Sequence, residues 1–191
     1  MENNLPKRKP TRLEDFAYSE NGAYFITICT ENRKNILSAI KPDYNTVGEG
    51  SPLPQGSPLP QGSPLPQGFP LPHLTQYGVI TDSWIQKIPV KYPEISVDCY
   101  VIMPNHIHLL LSVSQENGRG DPSPTIVSVI GWLKYQATAE INRLRGVTGE
   151  KVFQRSFYDH VVRNRNDYNE IYKYIEQNPL RWQLDKLYAE D

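Results

Sequence analysis

Apolar residues recur along this chain at two spacings, which divide it into strands and helices. Ala23 to Thr30 (AYFITICT) is β-branched and aromatic and predicts a strand. Tyr77, Ile80, Trp84 and Ile88 recur every three or four residues, which predicts a helix over Thr75 to Ile88, stopped by Pro89. Ile95 to Met103 predicts a second strand, with Val97, Cys99, Val101 and Met103 on one face. Pro104-Asn105 is a turn signal, so a third strand over Ile107 to Ser114 makes an antiparallel hairpin with the second.

Gly118 to Pro124 reads as loop. A long helix follows from about Thr125 to Leu144, with Ile126, Val129, Ile130, Leu133, Ala137, Ile141 and Leu144 as its buried stripe. Phe157 to Val162 predicts a fourth strand. Asn166 or Asp167 then caps a last helix that ends at Asn178, before Pro179. The order β-α-β-β-α-β-α predicts an α+β domain. Its sheet is mostly antiparallel with helices packed on it, close to the ferredoxin-like split βαβ arrangement.

One segment breaks the pattern. Residues 51–68 are three perfect copies of Ser-Pro-Leu-Pro-Gln-Gly, followed by Phe69-Pro70-Leu71-Pro72. Proline removes backbone donors and fixes φ, so this stretch is expected to be extended or disordered, not helix or central strand. We read 50–72 as a loop insertion within a domain spanning 23–182, tolerated because lengthening a loop costs little. A proline-recognition ligand is the alternative reading. Residues 1–22 form a basic arm and 183–191 a tail.

Composition narrows the function classes. With 191 residues and 38% hydrophobic content, one domain with a sizeable core is expected. No run of 18 or more apolar residues occurs, so no membrane span is expected. Met1 to Arg12 lacks an apolar stretch, so no secretory signal is expected, and the location read from this is cytoplasmic. Cys29 and Cys99 lie in strand-like segments and read as buried free thiols; the absence of CxxC leaves a thiolate zinc site unsupported. The net charge of −1 gives no global pull on nucleic acid. Lys7, Arg8, Lys9 and Arg12 are concentrated at one end, either as a solvated tail or as an arm contacting DNA phosphates.

Two constellations carry candidate chemistry. His106 and His108 are two apart in a strand, so they share a face about 6.6 Å apart along the strand. They can converge on one metal ion, or be two core histidines bonded to backbone. In the last helix Tyr168, Ile171, Tyr172 and Ile175 form the core stripe, while Tyr174 and Asn178 stack one turn apart on its flank. Taken singly, Tyr174 reads as a packing tyrosine and Asn178 as a helix-end residue. Taken with the histidines, His106, His108 and the Asn178 oxygen make an open three-ligand site suited to Mg²⁺ or Mn²⁺. Tyr174 beside it fits covalent attack on a phosphodiester. Tyr158, Tyr168 and Tyr172 are rival nucleophiles and rank lower, the first being in a strand and the others on the core stripe. His160 reads as a strand surface histidine, with a base or DNA contact as the alternative. Asn105 reads as a turn residue and His73 as loop. Lys134, Arg143, Arg163, Lys173 and Arg181 read as ordinary solvated charges, with phosphate contact as the alternative, and Trp132 and Trp182 as packing residues, with stacking on unpaired bases as the alternative.

The stretch YVIMPNHIHLLL, followed about seventy residues later by FYDHVVRNRNDYNEIYKYIEQNP, resembles the HUH single-tyrosine transposases, in the branch of REP-associated tyrosine transposases. NGAYFITICTENRK and YIEQNPLRW are also similar to that branch, so the resemblance spans nearly all of residues 8–182 outside the proline repeat. It implies that His106 and His108 bind the metal, that Asn178 is the polar third ligand, and that Tyr174 is the nucleophile. It further implies cleavage of single-stranded or hairpin DNA through a 5′-phosphotyrosine, with rejoining by a 3′-OH and no ATP. Such proteins work as homodimers or as monomers, and the sequence is compatible with either. Two competing readings remain: a non-catalytic single-stranded nucleic-acid-binding module, and a structural metal protein.

Overall fold

The computed structural model describes residues 22–43, 69–114 and 125–189; the basic arm with Lys7, Arg8, Lys9 and Arg12, the hexapeptide copies and the 118–124 loop lie outside the described residues. In chain order the elements are β1 (Gly22–Cys29), β2 (Ser38–Asp43), β3 (Phe69–Leu74), α1 (Gln76–Gln86), α2 (Ile88–Lys91), β4 (Ile95–Ile102), β5 (His106–Val113), α3 (Ile126–Arg145), β6 (Tyr158–Val162) and α4 (Arg165–Gln177). Short 3-10 turns cover Glu31–Arg33 and Pro179–Leu184.

β1, β4, β5 and β6 form one sheet in the order β4-β5-β1-β6. Every neighbouring pair is antiparallel. The two central strands are thus the first and third of the four, and the crossovers through α1 and α3 give the expected ferredoxin-like α+β arrangement. Alternation along the strands sorts side chains to two faces. Tyr24, Ile26 and Ile28 of β1 and Ile107, Leu109 and Leu111 of β5 pack with Val129, Ile130, Leu133 and Ala137 of α3 and Ile85 of α1. On the other face, Cys99, Val101, Met103 and Leu110 pack with Ile175, Tyr168, Ile171 and Tyr172 of α4. Both His106 and His108 lie on this second face, beneath α4.

Several expectations need correction. The register of β4 against β5 shifts between Val97 and Cys99. This bulge puts Val97 with the α1/α3 core, while Cys99, Val101 and Met103 face α4. A strict two-residue alternation misses such an inserted residue. Leu144, expected in the buried stripe, is 51% exposed: it lies in the last turn of α3, beyond Ile141 and Asn142, where the buried face of the helix ends. The helix expected over 75–88 breaks at Lys87. Pro89, which cannot continue a helix, opens α2 at a position where its missing N–H costs nothing. The cap of α4 is Asn164, not Asn166 or Asp167: Asn164 Oδ1 accepts from Asp167 N at 3.0 Å. Asp167 in turn accepts from Arg163 N at 2.9 Å, a reciprocal cap.

At the end of the proline-rich segment Phe69–Leu74 is extended, one of the two states expected, and pairs antiparallel with Ser38–Asp43 as a two-stranded ribbon separate from the main sheet. Two strands suffice for this because proline is tolerated on an edge, and each strand of a two-stranded ribbon has one free edge.

The turn after β1 holds the two positive-φ non-glycine residues among those described, Asn32 (φ 56°) and Arg33 (φ 54°). Each such residue costs on the order of 1–3 kcal/mol and persists only where its surroundings enforce it. Here Thr30 N donates to Asn105 O (2.9 Å), Glu31 N to Val152 O (2.8 Å) and Arg33 N to Thr30 O (3.1 Å). Thr30 Oγ1 bonds Lys34 O at 2.9 Å.

Candidate active site

The site is assembled from β1, β5, α4 and the segment after α4. Residues 106 and 108 of β5 pair with Cys29 and Thr27 of β1. Both histidines are buried, and their Nε2 atoms face each other at 3.1 Å. Their other ring nitrogens are occupied. His106 Nδ1 donates to Asn105 Oδ1 at 2.8 Å, which leaves the neutral ring with an unprotonated Nε2 turned into the site. The Asn105 amide is oriented by donating to Leu187 O at 2.8 Å. His108 Nδ1 lies 2.9 Å from Thr27 Oγ1.

α4 brings Tyr174 over this pair. Its hydroxyl is 3.4 Å from His108 Nε2, and its ring stands edge-on to Phe25 at 5.9 Å. Tyr174 is 43% exposed and lines the groove that also holds His108. One turn on, Asn178 is buried; its Nδ2 donates to Asp185 Oδ2 at 3.0 Å, while its Oδ1 has no hydrogen-bond partner. The 3-10 turn over Pro179–Leu184 reverses the chain, and Leu187 N holds Asp185 Oδ1 at 2.7 Å. Ligand atoms of His106, His108 and Asp185 all lie within 4.8 Å of one another. Trp182 closes the side, with its ring 5.9 Å from that of His106.

Burial sets the electrostatics. It lowers the His106 pKa to about 4, against the opposing Asp185 charge and Asn178 amide and with some help from Arg33. It holds His108 well below the usual range, with His106 adding to the effect. Both rings are therefore neutral at pH 7. Burial also raises the Tyr174 pKa, with the Asp185 charge second, so the phenol keeps its proton.

The residues present fit a divalent cation. Two ring nitrogens converge, a buried carboxamide oxygen stands without a partner, and a carboxylate lies beside them. Ligand bonds of about 2.1 Å meeting at a right angle would put two donors about 3.0 Å apart, close to the spacing of the two nitrogens. Mixed nitrogen and oxygen donors suit Mg²⁺ or Mn²⁺, though the nitrogens alone would also take other first-row metals.

His106, His108, Tyr174 and Asn178, separated by up to 72 positions, are thus brought together within one chain. Lys7, Arg8, Lys9 and Arg12 lie outside the described residues. Of the rival tyrosines, Tyr168 donates to Asp98 Oδ2 at 3.1 Å and Tyr172 packs on the core, while Tyr158 is exposed in β6. His160 Nε2 meets Asp167 Oδ2 at 3.0 Å, away from the pair. Lys134, read as a solvated charge, instead bonds Arg155 O at 2.9 Å and also Gln154 O.

Three residues escaped the sequence reading. Asn105 is a buried partner of His106 and not simply a turn residue. Thr27 could be found only from the strand register. Asp185 lay in what reads as a tail; no local signal separates it from a solvated acid.

An open groove of about 860 Å³ runs in front of the site. Phe25, Thr27 and Cys29 of β1 and His108 of β5 line it, together with Tyr158, Tyr174, Arg181 and Lys186. Cys29 and Cys99 are both free thiols, the first partly exposed and the second buried. No helix among the described residues is long and apolar enough to cross a membrane.

No family model matches the chain. An uncharacterized protein of Haemophilus influenzae is 27% identical over 198 residues, covering 96% of this chain and 94% of that protein. Among solved structures, a candidate transposase of Deinococcus radiodurans aligns with 12% identity over 87% of this chain and 95% of its own, at a TM-score of 0.43, too loose to carry weight. A REP-associated tyrosine transposase bound to a REP hairpin aligns with 20% identity over 89% of this chain and 74% of its own, at a TM-score of 0.51. The chain therefore has the fold of a REP-associated tyrosine transposase.

Proposed function

We propose that this protein cleaves and rejoins single-stranded DNA at hairpins, as a transposase with Tyr174 as nucleophile. The observation that carries this reading is the position of Tyr174, a half-exposed residue lining the groove, with its hydroxyl 3.4 Å from His108 Nε2. A packing tyrosine needs neither property. The solved protein of matching fold is a transposase bound to a REP hairpin, which supports hairpin DNA as the ligand class.

His106 and His108 would hold Mg²⁺ or Mn²⁺ through Nε2, with oxygen from Asn178 or Asp185. When bound, the cation supplies charge withdrawal from a phosphate oxygen. Asn105 and Thr27 hold the two rings so that Nε2, and not Nδ1, faces the site. α4 positions the Tyr174 oxygen at the groove, where it attacks phosphorus. The new O–P bond forms as the bond to the 3′ oxygen breaks, and that oxygen takes up a proton from water in the open groove, leaving a 5′-phosphotyrosine and a 3′-hydroxyl. Asp185 Oδ2, 3.5 Å from the phenol, is placed to accept its proton. Reversal by a 3′-hydroxyl rejoins DNA, and no ATP is consumed. All of these side chains come from one chain, so the reaction does not require a partner copy.

The test is adduct formation. Purified protein, a hairpin-bearing single strand and Mn²⁺ or Mg²⁺ should give a covalent protein–DNA species. Tyr174→Phe should abolish it while leaving DNA binding. An undiminished adduct in that variant overturns the nucleophile assignment. Metal-independent binding with no adduct on any hairpin favours a pure binding module. A sharp loss of melting temperature in His106→Ala under saturating metal favours a structural metal site.

A further inference from the structure

Arg33 occupies a conformation that the fold by itself would assign to glycine or asparagine. Its φ is 54°, it directly follows Asn32 at φ 56°, and it is exposed. Arginine here is unexplained by packing: among the described residues its side chain makes no hydrogen bond or ion pair.

The location supplies an explanation. Arg33 lines the same groove as His108, Tyr174 and Asn178. Its backbone is fixed relative to the histidines, because Thr30, three residues before it, donates its N–H to Asn105 O at 2.9 Å, while its hydroxyl holds Lys34 O, the residue after Arg33. Asn105 is the residue that orients His106. Arg181 and Lys186 enter the groove from the segment after α4, and likewise make no ion pair among the described residues. Against them the groove carries one carboxylate, Asp185. A cation on an anchored backbone beside the histidine pair, in no ion pair among the described residues, suits an anionic ligand arriving from solvent.

We propose that Arg33 is a phosphate-binding residue, its guanidinium taking a backbone phosphodiester of the single strand in the groove. The proposal rests on the single-strand reading above. The forked donor pattern of arginine matches two phosphate oxygens at once, which lysine cannot reproduce. The left-handed backbone is then the means of aiming it.

The test uses the full chain and a fluorescent hairpin with a single-stranded flank, with binding followed by anisotropy across a salt series in EDTA. Arg33→Gly removes the charge and relieves the backbone, so its melting temperature should equal or exceed that of the wild type. Its affinity should nonetheless fall roughly tenfold, and the slope of log K against log salt should shrink by about 0.7, one single-strand phosphate contact. Arg33→Lys should keep the slope while losing part of the affinity. Arg145→Ala, which removes an equal charge from the end of α3 on the opposite face, should keep both. If the wild type binds and Arg33→Gly binds with the same affinity and slope, this proposal alone is overturned. If the wild type binds no single strand, the reading beneath it fails and takes this one with it.

Discussion

Asn105 Oδ1 sits 2.8 Å from His106 Nδ1, and this contact decides which nitrogen of His106 faces its neighbour. An oxygen that can only accept keeps the proton on Nδ1 and the lone pair on Nε2. Partners of this kind typically affect metal affinity by 10–100-fold without touching the ion. Asn105→Ala is therefore expected to weaken Mn²⁺ binding by about that factor, measured by calorimetry. Unchanged affinity with an unchanged fold would show that the Asn105 contact does not orient the ring.

The depressed histidine pKa values make folding stability pH-dependent. Above pH 6.5 His106 is neutral both folded and unfolded, and the full stability is present. As pH falls, the unfolded chain takes up its proton first, so stability is lost between 6.5 and about 4. His108, also depressed, acts in the same direction. Urea melts in EDTA from pH 8 to 4 should show the decline. A variant carrying both His106→Asn and His108→Asn should decline less steeply; parallel curves would remove the histidines as the cause.

Asp185 shapes the titration of Tyr174. Burial is the larger cause of the raised phenol pKa and the carboxylate is the second, so Asp185→Asn should lower that pKa toward the ordinary value without reaching it. Carbon-13 tyrosine NMR, with Tyr174→Phe to assign the signal, reads the shift directly. A titration identical to the wild type would place the charge outside effective range.

Gly78 tests the fold apart from the chemistry. A Cβ there would lie 2.0 Å from Leu37 O, backbone that cannot move without dragging the turn after β1. Gly78→Ala should cost about 1–3 kcal/mol, typical of overpacking, seen as a lower urea midpoint. Mn²⁺ affinity of the folded fraction should be retained, since α1 packs on the opposite face of the sheet.

Much of this molecule is written in local pattern. The alternation in Ala23–Thr30 and the three-and-four spacing in α3 depend only on backbone geometry within one element. The shared face of His106 and His108, and the stacking of Tyr174 over Asn178, were legible for the same reason. Errors arose where a single residue altered the geometry. The bulge between Val97 and Cys99 exchanged faces mid-strand, and Asn164 won the cap by offering a carboxamide two residues before the expected position.

The sequence by itself determined which side chains could act together within one strand or one helix, because periods of 2.0 and 3.6 residues are properties of the chain. Tertiary structure decided which of those pairs would meet. It laid α4 across the histidine face of the sheet, matched Thr27 to His108 through strand register, and returned the chain after Pro179 so that Asp185 reached Asn178. These contacts join residues from 7 to 81 positions apart. They follow from packing two faces of one sheet, a balance of burial over the whole domain that no local period encodes. The two histidines are visible in the string of letters; the neutral, oriented pair under a tyrosine exists only once the core has closed around it.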